Sequence, residues 1–250
     1  MRLPDWHDRY LLQSIWTQNL RSYILQKINL KAGSRVLDVG SGTGALFSDL
    51  QQRGFDVTGL DFDRQRCLWS KGLGTSAEPV CGDASAMPFR SAAFDLSLCH
   101  YLLLWTKNPE QVIAEMRRVT APGGYVVAFA EPDYESRIDY PEIFRYIGSL
   151  QNRSLTFQGV NLQMGRQLGM LFRGMDLQNV SIGLLAGQWK QPIPEEFENE
   201  WNIIAFDLGG MVPAEKIVSL KENALQTWLS GSATVFIPTF FAFGQVPAEA

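Results

Sequence analysis

Gly40, Gly42 and Gly44 alternate directly after the apolar run V-L-D-V at 36–39. Alternating glycines let a backbone turn through left-handed conformations and pass close to a ligand. A strand before them and a helix after them would aim loop amides and a positive helix end at a polar group. Asp38 precedes the loop and Ser41 lies within it. Asp61 closes the next apolar run, where a carboxylate can accept both hydroxyl protons of a ribose. The turn Cys81-Gly82-Asp83-Ala84 sets a second carboxylate where it can accept from the exocyclic amine of adenine, and Phe62 can lie against the ring. The ligand expected is an adenosine-containing small molecule. G-S-G-T-G-A also satisfies the G-x-G-x-x-A form of a dinucleotide loop, so a nicotinamide ligand stays open at this point.

Cys99 and His100 follow at the end of another apolar run. A histidine there can serve as a general base near neutral pH, so His100 is the catalytic candidate. The simpler reading is a hydrogen-bonded, partly buried ring against the ligand. Glu131, Asp133 and Tyr134 in E-P-D-Y are further candidates for moving a proton. Asp83 has an alternative reading as the anchor of an Asx turn. Cys67, Cys81 and Cys99 are the only cysteines and form no C-x-x-C pair, which indicates neither a disulfide framework nor a zinc site. With two histidines in the chain, a histidine-rich metal site is excluded as well, and no metal is expected.

The elements that position these residues alternate between strand and helix. Strands are expected at 36–39, 57–60, 79–81, 94–99 and 124–130, with helices at 45–52, 64–71 and 109–119 between them. Such alternation implies a parallel sheet with right-handed crossovers. An amphipathic helix at 10–28 precedes the sheet and is expected to pack on its outside. Beyond residue 131 the pattern changes to helices at 141–157 and 165–173, a strand at 180–185, helices at 195–207 and 214–229, and a last strand at 234–241. One domain over 1–250 is expected, divided into a helical start (1–33), a ligand-binding core (34–131), a cap insertion (132–176) and the completion of the sheet (177–250).

With 250 residues, 46% hydrophobic and 19% charged, the chain can bury one sizeable core. Its net charge of -4, from 22 basic against 26 acidic residues, argues against nucleic acid as the main partner. No apolar run approaches the ~20 residues that span a bilayer. The start of the chain has no basic, then apolar, leader, so no membrane partner and a cytoplasmic location are the expectation.

D-V-G-S-G-T-G at 38–44, L-D-F-D at 60–63, G-D-A at 82–84 with M-P-F at 87–89, F-D-L-S-L-C-H at 94–100 and R-V-T-A-P-G-G-Y from 118 occur in family order. Across about 35–131 the chain resembles the class I S-adenosylmethionine-dependent methyltransferases. It is similar to the small-molecule branch that includes the ubiquinone and menaquinone C-methyltransferases. The resemblance implies a Rossmann-like doubly wound α/β sheet of seven strands, mostly parallel with an antiparallel last strand, plus the N-terminal helix and a helical cap. It implies S-adenosylmethionine as cofactor, with Gly40, Ser41, Gly42 and Gly44 under its methionine part and Asp38 orienting the amino group. Asp61 would hold the ribose, Asp83 with Phe62 and Ala84 the adenine, and Cys99, at the end of its strand, is a further cofactor-binding candidate. The reaction implied is in-line methyl transfer to a small-molecule acceptor, which depends mainly on positioning. The alternatives are an RNA or protein methyltransferase and a protein that binds the cofactor without catalysis.

Acceptor specificity is expected from outside this core. Trp6, Trp16, Tyr101, Trp105, Tyr134 and Phe157 are candidate pocket aromatics, with core packing the favoured reading for Trp16 and Trp105 the better pocket candidate. Arg9, Tyr10 and Gln13 are candidate lid residues. Arg145, Arg153, Arg166 and Arg173 fall in a stretch without other charge, read first as a solvated face and otherwise as a site for an anionic substrate, a carrier phosphate or RNA.

Overall fold

The computed structural model describes residues 2–186 and 193–248; both ends of the expected 1–250 domain and residues 187–192 lie outside them. Seven strands form the main sheet: β1 (Arg35–Val39), β2 (Asp56–Asp61), β3 (Glu78–Cys81), β4 (Phe94–Cys99), β5 (Thr120–Pro132), β7 (Gln178–Leu185) and β9 (Thr239–Gln245). Their order is β3-β2-β1-β4-β5-β9-β7. Neighbours from β3 to β5 pair in parallel, whereas β9 is antiparallel to both β5 and β7. This is the doubly wound, Rossmann-like sheet with an antiparallel last strand. Val36, Leu37, Asp38 and Val39 are all buried, the unbroken pattern of a strand covered on both faces. Chain order reverses between β1 and β4, so a crevice opens beyond their carboxyl ends.

Helices cover the two faces. On one, α5 (Pro109–Val119) and α7 (Met164–Arg173) bury Ile113, Met116, Leu168 and Phe172. Asn108 caps α5 by accepting from Gln111 N, and Pro109 fits its first turn. On the other face, α2 (Gln18–Lys27) and α3 (Phe47–Gln52) bury Ile24, Leu25, Phe47 and Leu50. α4 (Arg64–Lys71) is capped by the Asp63 carboxylate, which accepts from Gln65 N and Arg66 N.

Three expectations are corrected. The helix expected at 10–28 is two helices, α1 (Leu3–Trp16) and α2, parted at Thr17. Only α2 packs on the sheet; α1 turns away over the strand ends and leaves Leu11, Ile15 and Trp16 exposed. The last strand is not continuous from 234 to 241. β8 (Thr234–Phe236) pairs with β6 (Ile138–Tyr140) in a separate ribbon, and β9 starts at Thr239. Between them lies Pro238, which has no N–H for a ladder and whose carbonyl instead accepts from Asp133 N at 2.7 Å. The boundaries 132–176 and 177–250 cut across the packing. α7 lies on the sheet, while the cap joins α6 (Glu142–Phe157) to α8 (Pro194–Leu208) and α9 (Ala214–Leu229) around Phe144, Ile147, Phe197, Trp201 and Leu220. No described helix is long and apolar enough to cross a membrane.

Candidate functional site

The loop after β1 depends on its glycines for both conformation and space. Gly40, Gly42 and Gly44 have φ of 71°, 55° and 80°. A Cβ on Gly40 would fall 2.6 Å from Leu102 Cδ1, and one on Gly44 would fall 2.8 Å from Phe47 Cδ2. Gly40 N and Ser41 N both donate to Leu60 O, at 2.7 and 2.9 Å, which folds the loop back across the end of β2. There Asp61, 5% exposed, accepts from Gly42 N through Oδ2 at 2.8 Å and from Asp63 N through Oδ1 at 2.9 Å. Each carboxylate oxygen keeps a lone pair for a further donor. Ser41 Oγ is buried without a partner in the loop. Asp38 is buried beneath it, and burial, with the neighbouring Asp61, pushes its pKa up to about 8. A cation arriving there would reverse that shift.

At the end of β3, Asp83 is exposed and accepts from Ser85 N and Ser85 Oγ, both at 2.8 Å, holding its carboxyl below the ordinary range. The Asx turn is therefore present, and the turn itself is tied to β2 by Gly82 N donating to Asp61 O at 2.9 Å. Phe62 is 77% exposed beside it, and Ala84 is half-buried. Cys99 differs from expectation: its side chain is sealed in the core, and burial drives its thiol well above the ordinary value. Only its main chain reaches the strand edge, so the thiol lines no ligand.

Three of the expected proton carriers, His100, Glu131 and Asp133, are tied to protein partners. His100 Nε2 shares a hydrogen bond of 2.9 Å with Thr17 Oγ1, and burial, then the nearby Arg21, takes its pKa down to about 3. It is neutral near pH 7 and a poor base. Glu131 is fully buried and accepts from Leu102 N, Leu103 N and Leu104 N at 3.0, 2.9 and 3.1 Å; burial outweighs these bonds and raises its pKa to about 7. It shapes the turn at 102–105 and, just before it, Tyr101, a non-glycine residue at φ 53°. Asp133 is paired with Arg166 and accepts from Ser136 N at 3.0 Å. Tyr134 stands near Tyr101, and burial raises both phenols, Tyr134 to about 12.

α1 roofs this edge through contacts that the sequence pattern does not disclose. His7 Nδ1 and Thr43 Oγ1 lie 2.9 Å apart, and the Tyr10 ring rests 3.3 Å from where a Gly42 Cβ would be. Arg9 Nη1 and Nη2 donate to Glu200 of α8 at 2.6 and 3.3 Å. Trp6 stacks on Tyr10 and meets Phe206 edge-on. Arg21, 2% exposed, fixes the bend below: Nη1 donates to Ser14 O and Thr17 Oγ1 at 2.7 and 2.6 Å, and Nε to Asp49 at 2.9 Å.

Of the expected aromatics, Tyr101 and Tyr134 lie near Arg9 and Glu200, and Trp6 packs between Tyr10 and Phe206. Trp16 is 44% exposed under the Arg9 guanidinium instead of in the core, Trp105 is 52% exposed, and Phe157 is 87% exposed. The four arginines do not act together: Arg166 pairs with Asp133 and Arg145 with Glu142, and Arg153 and Arg173 are exposed on different helices. No cluster of three or more metal-ligating side chains occurs among the described residues.

Residues 37–128 match the family described as a methyltransferase domain. The chain is similar to a demethylmenaquinone methyltransferase of Renibacterium salmoninarum, 33% identical over 142 residues, 55% of this chain and 60% of that protein. It is 31% identical over 141 residues to a malonyl-[acyl-carrier protein] O-methyltransferase of Buchnera aphidicola, 56% of this chain and 57% of that protein. It thus spans less than two thirds of the curated relatives it matches. Phosphoethanolamine N-methyltransferase 2 of Haemonchus contortus, solved with S-adenosyl-L-methionine, shares the fold with a TM-score of 0.56 at 15% identity, covering 92% of this chain and 53% of that one. Residues 37–128 thus match a methyltransferase-domain family, within a sheet whose fold is shared with that solved neighbour.

Proposed function

We propose that the chain is an S-adenosylmethionine-dependent methyltransferase acting on a small-molecule acceptor. The observation that carries this reading is the buried Asp61 carboxylate, held against the glycine loop by Gly42 N with a lone pair free on each oxygen. The unpartnered Ser41 Oγ and the close-fitting glycines fit the same ligand. Gly40, Ser41, Gly42 and Gly44 would carry its methionine part and Asp38 its ammonium. Asp61 would take the ribose, and Phe62, Asp83 and Ala84 the adenine. When bound, the cofactor supplies an electrophilic methyl group on a sulfonium.

The chain's own contribution is orientation and exclusion of water. α1 covers the loop, and the cap helices close the acceptor side. His100, Glu131 and Asp133 are engaged by Thr17, three amides and Arg166 respectively, which fixes their orientation at this edge. Tyr101 and Tyr134, close to the Arg9–Glu200 pair, would orient the acceptor. Dispersed arginines, two of the four paired, and a net charge of -4 favour a small molecule over RNA. Calorimetry with S-adenosylhomocysteine and NAD tests the cofactor: binding of the first is expected, and binding of NAD alone would overturn the reading. Labelled methyl transfer to a metabolite library then separates an enzyme from a protein that only binds the cofactor.

A further inference from the structure

Two thiols meet beside the expected adenosine edge. Cys67, in the first turns of α4, is buried, and its Sγ donates to Asp61 O at 3.5 Å and to Val80 O at 3.6 Å. Cys81 ends β3, is exposed, and its Sγ donates to Phe62 O at 3.5 Å. Asp61 and Cys81 are partners across β2 and β3, and α4 packs on both strands. Both sulfurs therefore hang from carbonyls of Asp61, Phe62 and Val80, neighbouring residues at the ends of the same two strands. Cys99, sealed in the core, takes no part.

We propose that Cys67 and Cys81 are a peroxide-oxidisable pair whose disulfide lowers the affinity of the adenosine edge for its ligand. Only the identity of that ligand rests on the methyltransferase reading. The exposed Cys81 sulfur attacks the O–O bond of hydrogen peroxide, an S–O bond forms, and the thiol proton leaves with the departing hydroxide as water. The Cys67 sulfur then attacks Cys81 sulfur; the S–S bond forms, the S–O bond breaks, and a second water carries off the Cys67 proton. Each sulfur gives up one electron and the peroxide takes both. Burial raises Cys67 to about 11, which leaves it protonated near pH 7 and disfavours it for the first attack on peroxide; in the second step its proton must leave as its sulfur attacks.

Closing the bond pulls both sulfurs from the carbonyls of Asp61, Phe62 and Val80. It ties the residue just before Gly82-Asp83 to α4, so the 82–85 turn and Phe62 must shift. The test is to treat reduced protein with hydrogen peroxide, map disulfides by mass spectrometry, and measure S-adenosylhomocysteine binding before, after and following dithiothreitol. One disulfide joining Cys67 to Cys81 is expected, with affinity down about tenfold or more and restored by reduction. Cys81→Ser should form no disulfide and keep its own affinity after peroxide. Over-oxidation of Cys81 with Cys67 left free would overturn the proposal, as would a disulfide that moves affinity by less than about twofold. If reduced protein binds no S-adenosylhomocysteine, the cofactor reading fails, while the disulfide map still decides the pairing.

Discussion

Replacing Asp61 by asparagine separates its two jobs. In the structure each oxygen of the carboxylate takes one backbone N–H, from Gly42 at 2.8 Å and Asp63 at 2.9 Å. The asparagine amide keeps one oxygen but turns an NH₂ toward the other N–H, leaving a buried donor unsatisfied at a cost of about 1–3 kcal/mol in stability. It also loses one charge-assisted bond to a ribose hydroxyl, about 1.5–3 kcal/mol, or roughly ten- to a hundred-and-fifty-fold in affinity. Asp61→Ala would lose both ribose bonds, about 3–6 kcal/mol of binding. Urea unfolding reads the first effect and calorimetry with S-adenosylhomocysteine the second. If Asp61→Asn unfolds more easily yet binds within about twofold of the parent, Asp61 is a brace for the loop and not the ribose acceptor.

His100 has a folded pKa of about 3 against an ordinary 6.5, so between those values the unfolded chain binds more protons. Its contribution to stability is therefore lost as pH falls from 6.5 towards 3, and His100→Gln should flatten that part of the unfolding profile; an unchanged slope would assign it to other groups. Arg21→Ala removes the buried clamp on the α1–α2 bend. A loss of about 3 kcal/mol is expected, the lower end for a broken buried pair, because Arg53 still faces Asp49. Arg21→Lys should not restore it, since one ammonium cannot reproduce the fork onto Ser14, Thr17 and Asp49; a lysine variant as stable as the parent would contradict this account.

The core was legible because its signals are local. The apolar run into Gly40, Gly42 and Gly44, and the acids Asp61 and Asp83 at the next two strand ends, declare themselves over a few neighbouring residues. The break at Thr17 left no glycine or proline to mark it; it depends on Arg21 and His100 closing on the Thr17 hydroxyl. Arg9 and Glu200 are 191 residues apart, and periodicity says nothing about pairs so distant. Glu131 and Asp133 looked free for chemistry in E-P-D-Y, because their partners at Leu102–Leu104 and Arg166 come from other elements. Pro238 is itself a local signal, and it explains why the final run splits into β8 and β9.

α1 leans on the glycine loop through His7 and Tyr10 and on the cap through Arg9. One rigid rod touching two seats links them energetically: whatever occupancy of one does to the other must be returned in equal measure. Glu200, a cap residue outside the loop, should then influence how tightly the loop holds its ligand. Glu200→Gln is expected to alter S-adenosylhomocysteine affinity, and an unaltered value would show the two seats to be independent. Donor and acceptor would otherwise come and go as a coupled pair, with the first helix of the chain as the lever between them.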